Sequence, residues 1–431
     1  MHVRQSVHLF DAVTDRSGRP AVVASENAAT FLPYGHQRVT EADIQEVVAV
    51  LRSDWLTQGP AVPAFEDSLA RYLGAAHVVA CSSGTAALHL AMLAAGLGPG
   101  DVVVTTPITF LATANCARFV GADVRFVDVD PSTALMDTNA LNDTLQRDHR
   151  HAIKAVLPVH FAGQPADLAS ICEFARAHGA VVIDDACHAL GAEYNHDGQS
   201  ARIGGCPHAD LTVFSFHPVK HITTAEGGAI ATSHLELATR LRRLRSHGLQ
   251  KEDFCELDMA RAASGEVNPW YYEMQEVGFN YRLTDLQAAL GTSQLKRLPW
   301  SLERRRRLAA RYSEIIRNSF DDGAVVPLSA LFDRSHAWHL FVVQIDFERY
   351  AIDRATTMRR LREAGIGTQV HYIPIHLQPY YRRHCGTGPG DFPAAEAYYA
   401  RALSLPMYPD LSDDDCERVV FTLKDVLERG R

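Results

Sequence analysis

A chain of 431 residues, 47% hydrophobic and 22% charged, has the composition of a folded protein and the length for two or three domains. Its formal net charge of −9 argues against duplex nucleic acid or an anionic membrane surface as a partner, so any phosphate it binds must be held locally. The eight cysteines are scattered and form no CxxC pair, so no metal site is expected and they read as small buried residues in a reducing compartment.

Residues 1–30 carry no sustained periodicity and are expected as a tail or surface arm. Their early charges do not make an apolar leader, and no later stretch is long enough to span a membrane, so a cytoplasmic location is expected. From Thr40, TEADIQEVVAVLRS has helical apolar spacing with Thr40 as N-cap; PAFEDSLARYLG repeats the pattern and stops at Gly74. Short β-branched runs then alternate with helical segments. HVVA, DVVVTT, VRFVDVD, IKAVLPV, AVVIDDA, LTVFSF and GGAIAT read as strands, and TAALHLAMLAAGL, FLATANCARFVGA and DLASICEFARAHG as helices. This alternation predicts an α/β fold, with a mostly parallel sheet covered by helices on both faces. Beyond Leu298-Pro299 an arginine-rich helix, SLERRRRLAARYSEIIRN, leads into HLFVVQIDF, ATTMRRLREAGI and a closing helix near Cys416 to Arg429. The expected division is a large domain over residues 31–298 and a smaller α+β domain over 299–431.

In such sheets ligands bind outside the carboxyl ends of the strands, so the residues that follow each strand hold the candidates. Lysine is scarce, supplying only five of 42 basic residues. Lys154, Lys251, Lys296 and Lys424 fall in solvated settings, whereas Lys220 follows LTVFSF and precedes a glycine-rich return. Apolar surroundings there lower an amine's pKa and suit it to condense with an aldehyde cofactor. Asp185 ends AVVIDD, where a carboxylate can keep a pyridine nitrogen protonated, and His188 can face the same pocket. Ser83, Gly84 and Thr85 open a helix directly after HVVA, a setting for one phosphate ester to which Ser215 can add a hydroxyl. Phe110 follows DVVVTTPIT and can stack on a planar ring. Each residue also has a plain structural explanation: a surface lysine, a capping aspartate, a serine N-cap, a core phenylalanine. Their recurrence at successive strand ends is what points to chemistry.

Together these segments resemble the DegT/DnrJ/StrS sugar aminotransferases, a family of fold-type-I pyridoxal-phosphate enzymes. SSGTAAL, TTPITFLATAN, IDDACHALGAEY, SFHPVKHITTAEGGAI, RSHG and GFNYRLTDLQAALGTSQL carry the resemblance, which runs from about Phe31 to the C-terminus. It implies an aminotransferase whose pyridoxal phosphate passes through the pyridoxamine form, with L-glutamate as amino donor. Lys220 would carry the cofactor, Asp185 would partner its ring nitrogen, and His188 would lie by its ring hydroxyl. Phe110 would stack on the ring while Gly84, Thr85 and Ser215 hold the phosphate. Asn280 would reach that phosphate from a second subunit, which implies a homodimer with shared sites. FHPVKHITTAEGG, RSHGLQKEDF and VHYIPIH further resemble the subgroup that acts in pseudaminic acid biosynthesis. That likeness implies a UDP-linked 4-keto-6-deoxy-N-acetyl sugar as acceptor, with Tyr34, Trp55, Leu56, Thr57, His371 and Tyr372 around it. A dTDP-keto sugar or a keto-cyclitol is the alternative acceptor, and residues 256–272 stand apart as an insertion. Lys220 and the ungrouped cysteines argue against a pyridoxamine-dependent sugar dehydratase. The lack of a helix-turn-helix candidate and of a basic face argues against a cofactor-binding regulator.

Overall fold

The β-branched runs assemble into one seven-stranded sheet in the computed structural model, which describes residues 31–429 except 197, 322 and 332. The arm expected over residues 1–30 lies outside the described residues. Across the sheet the strands are His77–Cys81, Gly228–Thr232, Leu211–Ser215, Val181–Asp185, Ile153–Leu157, Val102–Thr105 and Asp123–Phe126. The last five pair in parallel, as the alternation of strands and helices predicts. Gly228–Thr232 runs antiparallel to both of its neighbours. The 216–227 loop before it contains no helix, and a parallel return would need a long crossover.

Strand residues alternate between the two faces, and both faces are covered. Leu211 and Val213 join a core with Leu88, Leu90 and Leu241, from helices Gly84–Ala94 and Leu235–Arg245. Phe214 points the other way, into a cluster with Phe65, Leu69 and Phe216, and further along the sheet Val156 and Val182 meet Leu141 and Ile171. Each such side chain taken fully from water stabilises the fold by about 1.5–3 kcal/mol relative to leaving it exposed.

The entry helices form where the capping signals put them. Glu41–Leu51 starts at Thr40, whose capping box uses Asp43, and Ala61–Leu73 ends at Gly74, which takes φ +76°. The 22-residue helix Leu298–Ser319 shares a second core with a three-stranded antiparallel sheet and with the closing helix Asp413–Glu428; Leu308, Tyr312, Phe341, Val343, Val420 and Leu423 meet there. Five of the cysteines are buried, Cys187 and Cys385 are half-buried, and Cys255 is exposed, because it lies in the 251–275 excursion beyond the sheet. No group of three metal-ligating side chains occurs among the described residues, and no helix among them is long and apolar enough to cross a membrane.

Candidate active site

Lys220 sits at the tip of a loop that closes on itself. Phe216 N–H donates to the Gly227 carbonyl at 2.8 Å, Thr224 N–H to the Phe216 carbonyl at 3.0 Å, and Lys220 N–H to the His217 carbonyl at 2.9 Å. The loop therefore presents the lysine rigidly beside the carboxyl end of Leu211–Ser215. A cavity of about 660 Å³ opens there, within the range of cofactor and small-ligand sites. Lys220 is the lysine that lines it among the described residues; Lys296 pairs with Glu46, and Lys154 is exposed on its strand. Burial lowers the Lys220 amine below its usual value, against the nearby charge of Asp185, which pulls the other way.

Asp185 is buried at the end of its strand with its carboxylate held on both oxygens. Thr113 Oγ1 donates to Oδ2 at 2.7 Å, and the Cys187 N–H donates to Oδ1 at 3.1 Å. The plain capping explanation is thus also true of one oxygen, while the same residue lines the cavity. Thr113 is a partner the sequence does not advertise: it lies within a helix, 72 residues before Asp185, and Thr109 fixes its hydroxyl at 2.8 Å.

Ser83 is a true N-cap, accepting from Ala86 N–H at 3.0 Å, so the Gly84–Ala94 helix turns its first N–H groups toward the cavity. Closeness is what the glycine permits. A Cβ on Gly84 would stand 2.8 Å from Ser215 Cβ, and one on Gly228 would stand 2.4 Å from the Ser83 carbonyl oxygen. Gly84, Thr85 and Ser215 line one end of the cavity and can hold a phosphate there. Phe110 is half exposed, at 56%, with its ring centroid 6.1 Å from that of Tyr372, so one of its faces is available for stacking.

On the opposite wall His188 Nε2 pairs with the Tyr372 hydroxyl at 3.1 Å, and its Nδ1 has no partner. Burial and the nearby Lys220 hold this imidazole neutral, well below its ordinary value, and burial keeps the Tyr372 hydroxyl protonated. His371 is fixed through Nδ1 to Ser404 Oγ at 2.8 Å, and its ring lies 5.6 Å from that of Tyr34. His339, which sequence reasoning did not single out, packs its ring 4.3 Å from that of His188 at a 40° tilt and also lines the cavity. No single-residue pattern marks it; only the folding of HAWHLF against the IDDACH turn brings the two rings together.

Ten of the expected site residues thus share one cavity: Tyr34, Gly84, Thr85, Phe110, Asp185, His188, Ser215, Lys220, His371 and Tyr372. Trp55, Leu56, Thr57 and Asn280 do not line it. All four are exposed. Thr57 bridges to Thr284, Asn280 bridges to Ser246, and the Asp285 carboxylate accepts from Gly59 and Ala61 N–H at 2.7 and 2.8 Å. Trp55 and Leu56 are 56% and 49% exposed.

The donor set of the cavity suits a phosphate-bearing pyridine aldehyde. It holds a small-residue cradle at a helix N-terminus, an anchored carboxylate, a flat aromatic face, a neutral imidazole and a desolvated amine. Comparisons with known proteins agree. Residues 37–424 match the model of the DegT/DnrJ/EryC1/StrS aminotransferase family. The chain is 41% identical to the spore coat polysaccharide biosynthesis protein SpsC of Bacillus subtilis, over 92% of this chain and 97% of that one. Among solved structures it is similar to Helicobacter pylori PseC, an aminotransferase involved in the biosynthesis of pseudaminic acid (TM-score 0.81, 30% identity, 93% of this chain and 100% of that one). It is equally similar in fold to Spr1654, a proposed sugar aminotransferase of Streptococcus pneumoniae in its PLP form (TM-score 0.81, 28% identity, 93% and 100%). With an α/β fold that matches these enzymes and a family model spanning nearly its whole described length, the chain belongs to the DegT/DnrJ/EryC1/StrS family and is a pyridoxal-phosphate-dependent aminotransferase.

Proposed function

We propose that this enzyme moves the amino group of L-glutamate to UDP-2-acetamido-2,6-dideoxy-β-L-arabino-hex-4-ulose, giving UDP-4-amino-4,6-dideoxy-N-acetyl-β-L-altrosamine. The carrying observation is the meeting of Lys220, Asp185 and the Gly84–Thr85 helix start in one cavity, beside His371 and Tyr372. The likeness to PseC supports the acceptor, since that protein serves pseudaminic acid biosynthesis. The greater identity to SpsC favours one competing acceptor, another nucleotide-linked keto sugar of a surface polysaccharide.

Bound pyridoxal phosphate supplies an aldehyde that condenses with amines and a ring that accepts the electron pair of the adjacent carbon. Lys220 would hold it between turnovers and, once released by the incoming amine, would act as the base that removes the proton from the glutamate α-carbon. In the second half-reaction Lys220 would move a proton back toward the sugar carbon. Asp185 would accept the ring N–H, its orientation kept by Thr113 and Cys187. Neutral His188, held by Tyr372, would lie by the ring hydroxyl. Gly84, Thr85 and Ser215 would hold the phosphate, and Phe110 would cover the ring.

The homodimer belongs to the same proposal: Asn280, Trp55, Leu56 and Thr57 on one protomer would complete the cavity of the other. The exposure of the large apolar side chains Trp55 at 56%, Leu56 at 49% and Val277 at 74% supports it, since exposed large apolar side chains are common where a partner covers them. A panel of UDP- and dTDP-linked 3- and 4-keto sugars plus a keto-cyclitol, each assayed with L-glutamate, tests the acceptor. The expected outcome is highest kcat/KM for the UDP-N-acetyl 4-keto sugar; preference for a dTDP sugar or a cyclitol would replace it while leaving the reaction class intact.

A further inference from the structure

Two carboxylates line the cavity, those of Asp185 and Glu226. Asp185 is buried and held on both oxygens, whereas Glu226 is exposed and its carboxylate has no hydrogen-bond or ion-pair partner among the described residues. Its main chain is fixed instead. The Glu226 carbonyl accepts from Thr224 Oγ1 and from Gln287 Nε2, both at 2.7 Å, and Ala225 before it takes a left-handed φ of +65°. A Cβ on Gly227 after it would collide with Thr224 Oγ1. A non-glycine residue stays in that conformation only where its surroundings enforce it. With its carbonyl occupied twice, Glu226 offers the cavity its carboxylate, on the same closed loop that presents Lys220.

The amino donor and the acceptor use this cavity in turn, and a fixed negative charge acts on them with opposite sign. L-Glutamate brings carboxylates, which the charge repels, and an amino group that must lie at the reacting carbon beside Lys220. A keto sugar brings hydroxyl groups, and the N-acetyl sugar proposed above brings an amide N–H as well. Each of these can donate to a carboxylate, and hydrogen bonds to an ionised acceptor are stronger than neutral ones. The phosphates of a nucleotide would be turned away from this wall.

We infer that Glu226 is a specificity residue for the amino acceptor: its carboxylate accepts hydrogen bonds from the hydroxyl or amide N–H groups of the keto sugar and keeps carboxylates and phosphates off that wall. This role requires the acceptor to be a hydroxylated keto sugar, as proposed above, whatever nucleotide it carries. Glu226 holds the sugar equally before and during reaction, so its loss belongs in the KM for the acceptor and not in kcat.

The test uses the full-length holoenzyme and the keto sugar that the wild type turns over best, so an error in the UDP assignment shows in the acceptor panel and not here. Glu226→Ala should raise the KM for that sugar about tenfold, the low end for a hydrogen bond to a charged group because the site is open to water, with kcat kept within about twofold. Glu226→Gln retains one acceptor oxygen and should raise it less. The glutamate half-reaction, followed by absorbance without sugar, should show no rise in its KM in either variant. Calorimetric titration of the pyridoxamine form with the amino-sugar product, a pair that cannot react, should show Kd rising in parallel with the acceptor KM. Three results overturn the role: an unchanged acceptor KM and product Kd; KM values for glutamate and sugar that rise together, which would put Glu226 in the seating of the cofactor; or a loss that disappears at high protein concentration, which would make it a contact between protomers.

Discussion

Lys220 and Asp185 could be read from the sequence because lysine is rare in this chain and the aspartate terminates an apolar strand. Thr113 and His339 could not, since each acts through a contact with a residue distant in sequence. Lys220→Ala is expected to lower transamination by about 10²–10⁴-fold, the span typical of losing a positioned acid–base group, while phosphate binding persists. Thr113→Val keeps the shape and removes the 2.7 Å hydrogen bond to Asp185. Because hydrogen bonds to charged groups contribute about 1.5–3 kcal/mol, kcat should fall roughly 10–100-fold with the fold intact by circular dichroism. An unchanged kcat would remove Thr113 from the account. Burial lowers the Lys220 amine below its usual value, so the rate of cofactor uptake should rise with pH through a midpoint below 10.5, as stopped-flow absorbance can read.

At the level of elements, the strands and helices follow from apolar periodicity and caps, as at Thr40 and Gly74. The reversed direction of Gly228–Thr232 does not, because direction depends on the connection and not on the strand's composition. The close seating of the Gly84 helix start on Ser215 is equally invisible in a pattern of residues, yet it makes the cradle. Gly84→Ala would drive a Cβ to 2.8 Å from Ser215 Cβ, so cofactor affinity should drop about 5- to 150-fold in equilibrium dialysis, the size expected for about 1–3 kcal/mol of overpacking. Adding Ser215→Gly removes the colliding atoms, and the double variant should bind better than Gly84→Ala alone despite losing a hydroxyl. Additive losses would mean the two positions do not touch in the working enzyme.

For the whole molecule, two properties emerge that no single segment holds. His188, His339 and His371 line the cavity, His221 lies 5.5 Å from His339, and these rings and His336 are all depressed chiefly by burial, His336 and His371 to about 3. In the unfolded chain these rings take protons below about 6.5, and in the folded protein they do not. Stability is therefore full above that pH and falls as pH drops from about 6.5 toward 3, by up to roughly 1.4 kcal/mol per pH unit for each proton. Unfolding temperature should be flat from pH 7 to 8 and fall steeply below 6; a flat profile to pH 5 would contradict the buried neutral rings. The second is the shared site that the proposed homodimer would form. Trp55, Leu56, Thr57 and Asn280 were legible as a motif, but a single chain gives them nothing to act on. Mixing inactive Lys220→Ala with impaired Asn280→Ala protein should restore activity, because a hybrid dimer keeps one intact site; no gain on mixing and refolding would show that each chain works alone.

The central claim, a lysine-held cofactor that takes an amino group from glutamate, is most directly tested by visible absorbance of the cofactor-reconstituted protein with and without L-glutamate. The wild type should show a lysine-linked band that glutamate bleaches and that the keto sugar restores, and Lys220→Ala should lack that band before glutamate is added. A reconstituted wild type with no lysine-dependent band and no response to glutamate would contradict the account.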